Sequence, residues 1–233
     1  MRTITGETIF NARLNRGDPS DEAIEFKNCW FQACGVDVDA ADHAHVRVSN
    51  VHLRSCRVSG GGLRGVHLID CSVRGLQVSS APSIIGCVLE HVTLAGKINK
   101  LIVRPEMRGW DNEAALLAAA AEAYQRIDWA LDISELDCPD LSLKGVPPHL
   151  LRLDPATQSV ISREDLERTQ AWREVDYTGT HIEFSIGRIV REGWPTVVLV
   201  APRTGPKVEA YMRVLGELRS IGVAHRAHGR IDD

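Results

Sequence analysis

Arg54 and Arg74 stand twenty residues apart, and Arg47, Arg57 and Arg64 flank them in the same stretch. Guanidinium groups stacked at such a spacing could grip carboxylates or phosphates through paired N–H donors. The plainer expectation for such a run is a solvated face that keeps the chain soluble. A second candidate is the segment Ala201-Pro202-Arg203-Thr204-Gly205-Pro206-Lys207, between an apolar run and an amphipathic one. A strand-to-helix loop is where α/β folds bind phosphate. This one lacks G-x-x-x-x-G-K-[ST], and its two prolines remove backbone donors. The candidate binding residues are thus Arg47, Arg54, Arg57, Arg74, Arg203 and Lys207, with no catalytic residue assigned.

Other polar clusters point less far. Asp37, Asp39, Asp42, His43 and His45 form D-x-D followed by H-x-H, which could ligate a divalent metal. Alternation along a strand places Asp37 and Asp39 on one face automatically, so an exposed run is expected and no metal is assigned. His52 and His67 fall at outward positions and are expected to be surface histidines. Asp70 and Glu90, twenty apart, could stack, but nothing around them completes a paired-carboxylate site. Neither G-x-S-x-G nor H-E-x-x-H is present, and no cofactor is implied. The six cysteines include no C-x-x-C pair and are expected to be reduced core thiols. Trp110, Trp129, Trp172 and Trp194 are widely spaced, as core anchors would be.

The elements that must position these residues show in a period of five. Counting from Phe26 gives Phe31, Val36, Ala41, Val46, Val51, Cys56, Gly61, Val66, Cys71, Leu76 and Ala81. Two places on, the count gives Val38, Val48, Leu53, Val58, Leu63, Leu68, Val73 and Val78. Each unit then offers two inward residues around one outward residue, followed by a two-residue corner. Ser49-Asn50, Ser59-Gly60, Gly65, Asp70 and Gly75 supply corner chemistry. Gly61 takes an inward slot and marks a local kink. After Ala81-Pro82 the register slips by one, and Cys87 with Leu89, Val92 with Leu94 and Leu101 with Val103 continue the inward pairs.

In these units the segment resembles the pentapeptide-repeat proteins, with Leu53, Leu63 and Leu68 in central slots and Cys56, Gly61 and Cys71 in small ones. The resemblance covers about a third of the chain. It implies a β-solenoid, a right-handed β-helix of four five-residue faces, over residues 26–104. A lead-in or cap over 1–25 and a small α/β or α+β domain over 111–233 are expected around it. Some members of that family imitate duplex DNA and protect topoisomerases, which needs an acidic rod. Here residues 26–104 hold nine basic and five acidic residues, a net of +4, so that role is disfavoured.

Residues 111–233 hold fourteen basic and twenty acidic residues, a net of −6. An alanine-rich helix is expected from Asp111 or Asn112 to Asp132, with Leu116, Ala120, Ala123, Ile127 and Leu131 as its apolar stripe. Ser162 with Asp165 signals a capping box, and further helices are expected over 180–192 and 207–221 around a strand over 196–200.

No apolar run is long enough to span a bilayer and no secretory signal is visible, so the cytoplasm is the expected location. The reading favoured by these features is a non-enzymatic protein-binding or scaffold protein: an adaptor, inhibitor or toxin-neutralising protein. Its expected partner is another protein, not a membrane or nucleic acid. An uncovered end could also pair two copies as a homodimer. The alternative is an enzyme or small-ligand site near 201–207, with Asp176, His181 or Glu183.

Overall fold

The computed structural model describes residues 1–14, 22–39, 44–80 and 82–226. Among the described residues, fourteen strands join one mostly parallel sheet curved into a half-barrel, and three more, Val46–Ser49, Val66–Ile69 and Val88–Glu90, form a second parallel sheet. Successive ladders lie about one lap of chain apart. His52 pairs with Ser72 and Leu53 with Val73, then Ser72 with Thr93 and Val73 with Leu94. The step thus grows from twenty residues to twenty-one, which is the slip expected near Pro82.

The aliphatic and thiol side chains of the five-residue count fill the space enclosed by these strands. Cys56, Val66, Leu68, Cys71 and Leu76 are buried in one continuous cluster with Val88, Leu94, Leu101 and Val103. Side chains that alternate across a strand can only segregate in this way if neighbouring strands pair with their inward residues in phase. The five-residue beat itself survives as bends. Asn50, Ser55, Gly60, Gly65, Asp70 and Gly75 all have positive φ, as do Gly86, His91 and Gly96 further on. Asn, Asp and Gly tolerate the left-handed region best, which is why corner chemistry recurs there.

The expected fold class needs correcting. A four-faced solenoid would divide its strands among separate short faces, whereas here Val51–Arg64 runs for fourteen residues within one large sheet. The ladders skip its left-handed residues Ser55 and Gly60 but resume beyond each in the same register, within the same sheet. Nor does the sheet stop near residue 104. Leu131–Asp132, Leu136–Asp137, Leu141–Leu143 and Leu151–Arg152 all join it, and at the other end Arg2–Thr5 and Thr8–Phe10 pair with Ile24–Lys27 and Trp30–Asp37. A mostly parallel half-barrel therefore replaces the expected β-solenoid with a trailing α/β or α+β unit.

Helix α1 (Glu113–Tyr124) forms as the alanine-rich run predicts but ends sooner than expected. Leu131 leaves the anticipated stripe to pair with Val92 and Leu151 in the sheet. Helices α2 (Arg163–Arg168), α3 (Ile182–Glu192) and α4 (Val208–Ser220) surround an antiparallel pair, Gln158–Ser162 with Thr196–Val200. The Ser162 capping box is present, with the Asp165 amide donating to Ser162 Oγ at 3.1 Å. The residues 161–224 pack their own cluster around Ile186, Tyr211 and Leu215. Val198 and Val200 face the other way, into the core of the large sheet. All six cysteines are free, and burial pushes the Cys138 thiol up to about 12, far from a reactive thiolate.

Candidate functional site

A cleft of about 570 Å³ opens between the large sheet and α3. One wall is a register column of the sheet, where Arg64 pairs with Ile85 and Ile85 with Arg104. Lys144 extends that wall, its amide donating to the Val103 carbonyl at 2.9 Å. The opposite wall is the face of α3 that carries Phe184, Arg188 and Glu192 at four-residue intervals. Helix α3 is oriented by its other face, since Ile182, Ile186 and Ile189 are buried in the cluster beneath. The turn between Pro105 and Trp110 closes the end of the cleft with Glu106, Met107, Arg108 and Trp110. The Met107 amide donates to Glu113 Oε1 at 3.0 Å, tying that turn to the start of α1.

Gly193, at φ 73°, turns the chain off α3 and lets the Trp194 amide donate to the Arg188 carbonyl at 3.2 Å. That turn sets the Trp194 ring between two cations, Lys144 Nζ at 5.5 Å and the Arg188 guanidinium at 5.1 Å from its centroid. Arg188 also lies 5.1 Å from the ring of Phe184, and its Nη1 donates to the Leu141 carbonyl at 3.4 Å. Burial lowers the Arg188 pKa, against the fields of Asp140 and Glu192. Lys144 forms a close ion pair with Glu106. Burial raises the Glu106 pKa, but the hydrogen bond and charge of Lys144 more than offset it and hold the carboxyl below the usual range.

The cleft thus has five cationic side chains against two acidic ones. Its cations differ in commitment. Arg64 faces Asp37 at 3.8 Å, and Lys144 is held by Glu106. Among the described residues the guanidinium groups of Arg104 and Arg108 have neither a hydrogen bond nor an ion pair, although Arg108 adds its field to Glu106. Phe184, on the opposite wall, is 57 % exposed.

The six candidate binding residues of the sequence lie elsewhere. Arg54 pairs in register with Arg74 and, on its other side, with Lys27, so a cationic column does stand on the large sheet. Arg74 is engaged by Glu135 at 2.7 Å. Arg57 lies between Trp30 and Gln77, while Arg47 belongs to the smaller sheet beside His67. Arg203 donates to the Ser134 carbonyl and to Asp154 Oδ2 at 3.0 Å, which makes it a tie to the sheet's connecting loops. Lys207 Nζ is 3.4 Å from His181 Nε2, and Asp176 faces Arg213 at 3.7 Å. None of these six lines the cleft.

Of the Asp37–His45 polar run, Asp42 and His43 lie outside the described residues, and His45 Nε2 is 3.0 Å from the Gly86 carbonyl. Among the described residues no group of three His, Cys, Asp or Glu side chains could hold a metal ion. Asp70 does not stack on Glu90, which pairs with Ile69 and lies 2.8 Å from His67 Nε2.

Instead Asp70 meets His91, which bridges it at 3.2 Å and Asp128 at 2.7 Å while stacking on Trp129. The hydrogen bond to Asp128, followed by that to Asp70, raises the His91 pKa despite slight burial. A raised folded-state pKa stabilises the fold while the imidazole is protonated, below its unfolded value of roughly 6.5. That contribution disappears as the pH rises through the folded pKa. His91→Gln should therefore be destabilising relative to the wild type at about pH 5.5, with the gap closing by about pH 8.5. Urea denaturation at the two pH values checks this, and a gap that widens with pH would reverse the assignment.

Comparison with protein families, curated proteins and solved structures found no match for the chain. No helix among the described residues is long and apolar enough to cross a membrane.

Proposed function

We propose that the protein is a non-enzymatic binding protein that docks a protein partner, in the manner of an adaptor, inhibitor or toxin-neutralising protein, and that the cleft beside α3 anchors it. The observation that carries this reading is the pairing of two uncommitted guanidinium groups, Arg104 and Arg108, with an exposed aromatic ring, Phe184, across one groove. Arginine and aromatic side chains are the residue types that contribute most at protein interfaces. The walls around them are fixed by sheet register and by the buried face of α3. A partner therefore meets groups already in place, which lowers the ordering cost of association.

Affinity capture with wild-type bait and two charge-matched variants tests the proposal. Arg104→Glu/Arg108→Glu alters the cleft, and Arg54→Glu/Arg57→Glu alters the distant sheet surface by the same charge. A partner retained by wild type and by the sheet variant, but lost by the cleft variant, is the expected result. Equal capture by all three baits, or none by the wild type, would remove the cleft from the function.

A further inference from the structure

The two walls of the cleft give it a length. Phe184 to Glu192 spans eight helical steps, roughly 12 Å at 1.5 Å per residue. The sheet column from Arg64 through Ile85 and Arg104 to Lys144 takes three strand steps, roughly 14 Å at about 4.8 Å each. A groove of that length accommodates about four residues of extended chain at roughly 3.3 Å apiece. It is far larger than a single inorganic anion needs.

Its chemistry is two-sided. Apolar surface comes from Ile102, Trp110, Phe184 and Trp194, and positive charge comes from Arg104 and Arg108, which form no ion pair among the described residues. An isolated phosphate would answer the charge and leave Phe184 bare to water. A purely apolar segment would cover Phe184 and leave a cationic wall beside it without counter-charge.

Building on the binding reading above, we propose that the cleft takes an extended acidic peptide segment of the partner, about four residues long. Carboxylates of the segment engage Arg104 and Arg108, and an apolar side chain covers Phe184. Charged groups flanking an apolar anchor set both the attraction and the register of such a segment. The affinity falls with salt, because both guanidinium groups are exposed and screened.

Fluorescence polarisation with the whole protein tests this, using a labelled dodecapeptide of alternating Glu and Leu. The peptide is expected to bind in low salt, and to weaken about tenfold or more with Arg104→Glu/Arg108→Glu. Phe184→Ala should cost about tenfold as well, since a covering apolar contact is lost. Arg104→Lys/Arg108→Lys, which retains the charge, should keep much of the binding and shows that the site still folds. A matched Gln-and-Leu peptide should bind far more weakly. Failure of the acidic peptide to bind, or equal binding by the glutamate variant, overturns the proposal. So does tighter binding of a single-stranded oligonucleotide or of inorganic phosphate at the same site. If capture of a partner depends on the cleft while the acidic peptide fails, only the ligand chemistry is wrong. If capture does not depend on the cleft, the binding reading fails first.

Discussion

Replacing Gly61 with alanine is expected to destabilise the protein by roughly 2–4 kcal/mol, while the same change at its neighbour Gly60 costs only about 1 kcal/mol. Both glycines have positive φ, 91° and 74°, so both pay a similar backbone penalty for gaining a side chain. Their surroundings differ. A Cβ on Gly61 would lie 1.7 Å from the Cys34 carbonyl oxygen and 2.7 Å from its carbon, whereas one on Gly60 meets nothing closer than 3.9 Å. The obstruction at Gly61 is backbone of the strand it pairs with, so no rotamer change relieves it. The two strands must separate locally, which adds the cost of overpacking to that of the backbone. Equilibrium urea denaturation of the two variants measures the difference. Equal destabilisation would mean that the close approach of these strands is not a feature of the folded protein.

Leu131→Ala is expected to cost roughly 2–5 kcal/mol, with Leu117→Ala on the exposed side of α1 close to neutral. Leu131 is fully buried and sits in the sheet between Val92 and Leu151. Val92 lies on a strand that also pairs with Ser72–Val78, and Leu131 sits without exposed surface in the continuous core cluster, so the space left by the missing methyl groups cannot close readily. That places the expected cost toward the upper part of the range. Leu117, by contrast, is 37 % exposed. Thermal and urea denaturation of both variants provide the measurement. A neutral Leu131→Ala would mean that this residue is not held in the core of the sheet.

These two positions also show how far the sequence could be read. Gly61 stood out because it occupies an inward slot of a regular count, and a missing side chain there implied a kink. In the structure Gly61 has positive φ and its backbone closely approaches that of Cys34, in unbroken register. Leu131 looked helical because alanine-rich propensity and a four-residue stripe are local signals. The ladder that claims it involves Val92, almost forty residues earlier, and no local pattern reports such a partner. The stacked pair Arg54 and Arg74 was legible because their spacing equals one lap of the chain.

The cleft was not legible. Arg104 and Phe184 share no period, and they meet only because α3 buries its isoleucines against one cluster and turns the opposite face to the sheet. Two signals could have found it: Arg64 and Arg104 keep the column spacing, and Phe184, like Val190, is a large apolar residue exposed on an amphipathic helix. The loop holding Arg203 and Lys207 drew notice by analogy with phosphate-binding loops. Its arginine proves to be a structural tie to Ser134 and Asp154.

By itself, the sequence determined which side chains turn inward and where the strands bend. Both depend on residues a few positions apart, on alternation within a strand and on the few residue types that accept positive φ. The tertiary structure alone decided that the bent strands join a single half-barrel sheet and that Leu131–Asp132 and Leu151–Arg152 belong to it. It also decided that a cationic column and a helix face enclose a cleft. Those outcomes depend on which distant ladder or apolar face gains most from contact, a competition among alternatives that no short window of sequence contains.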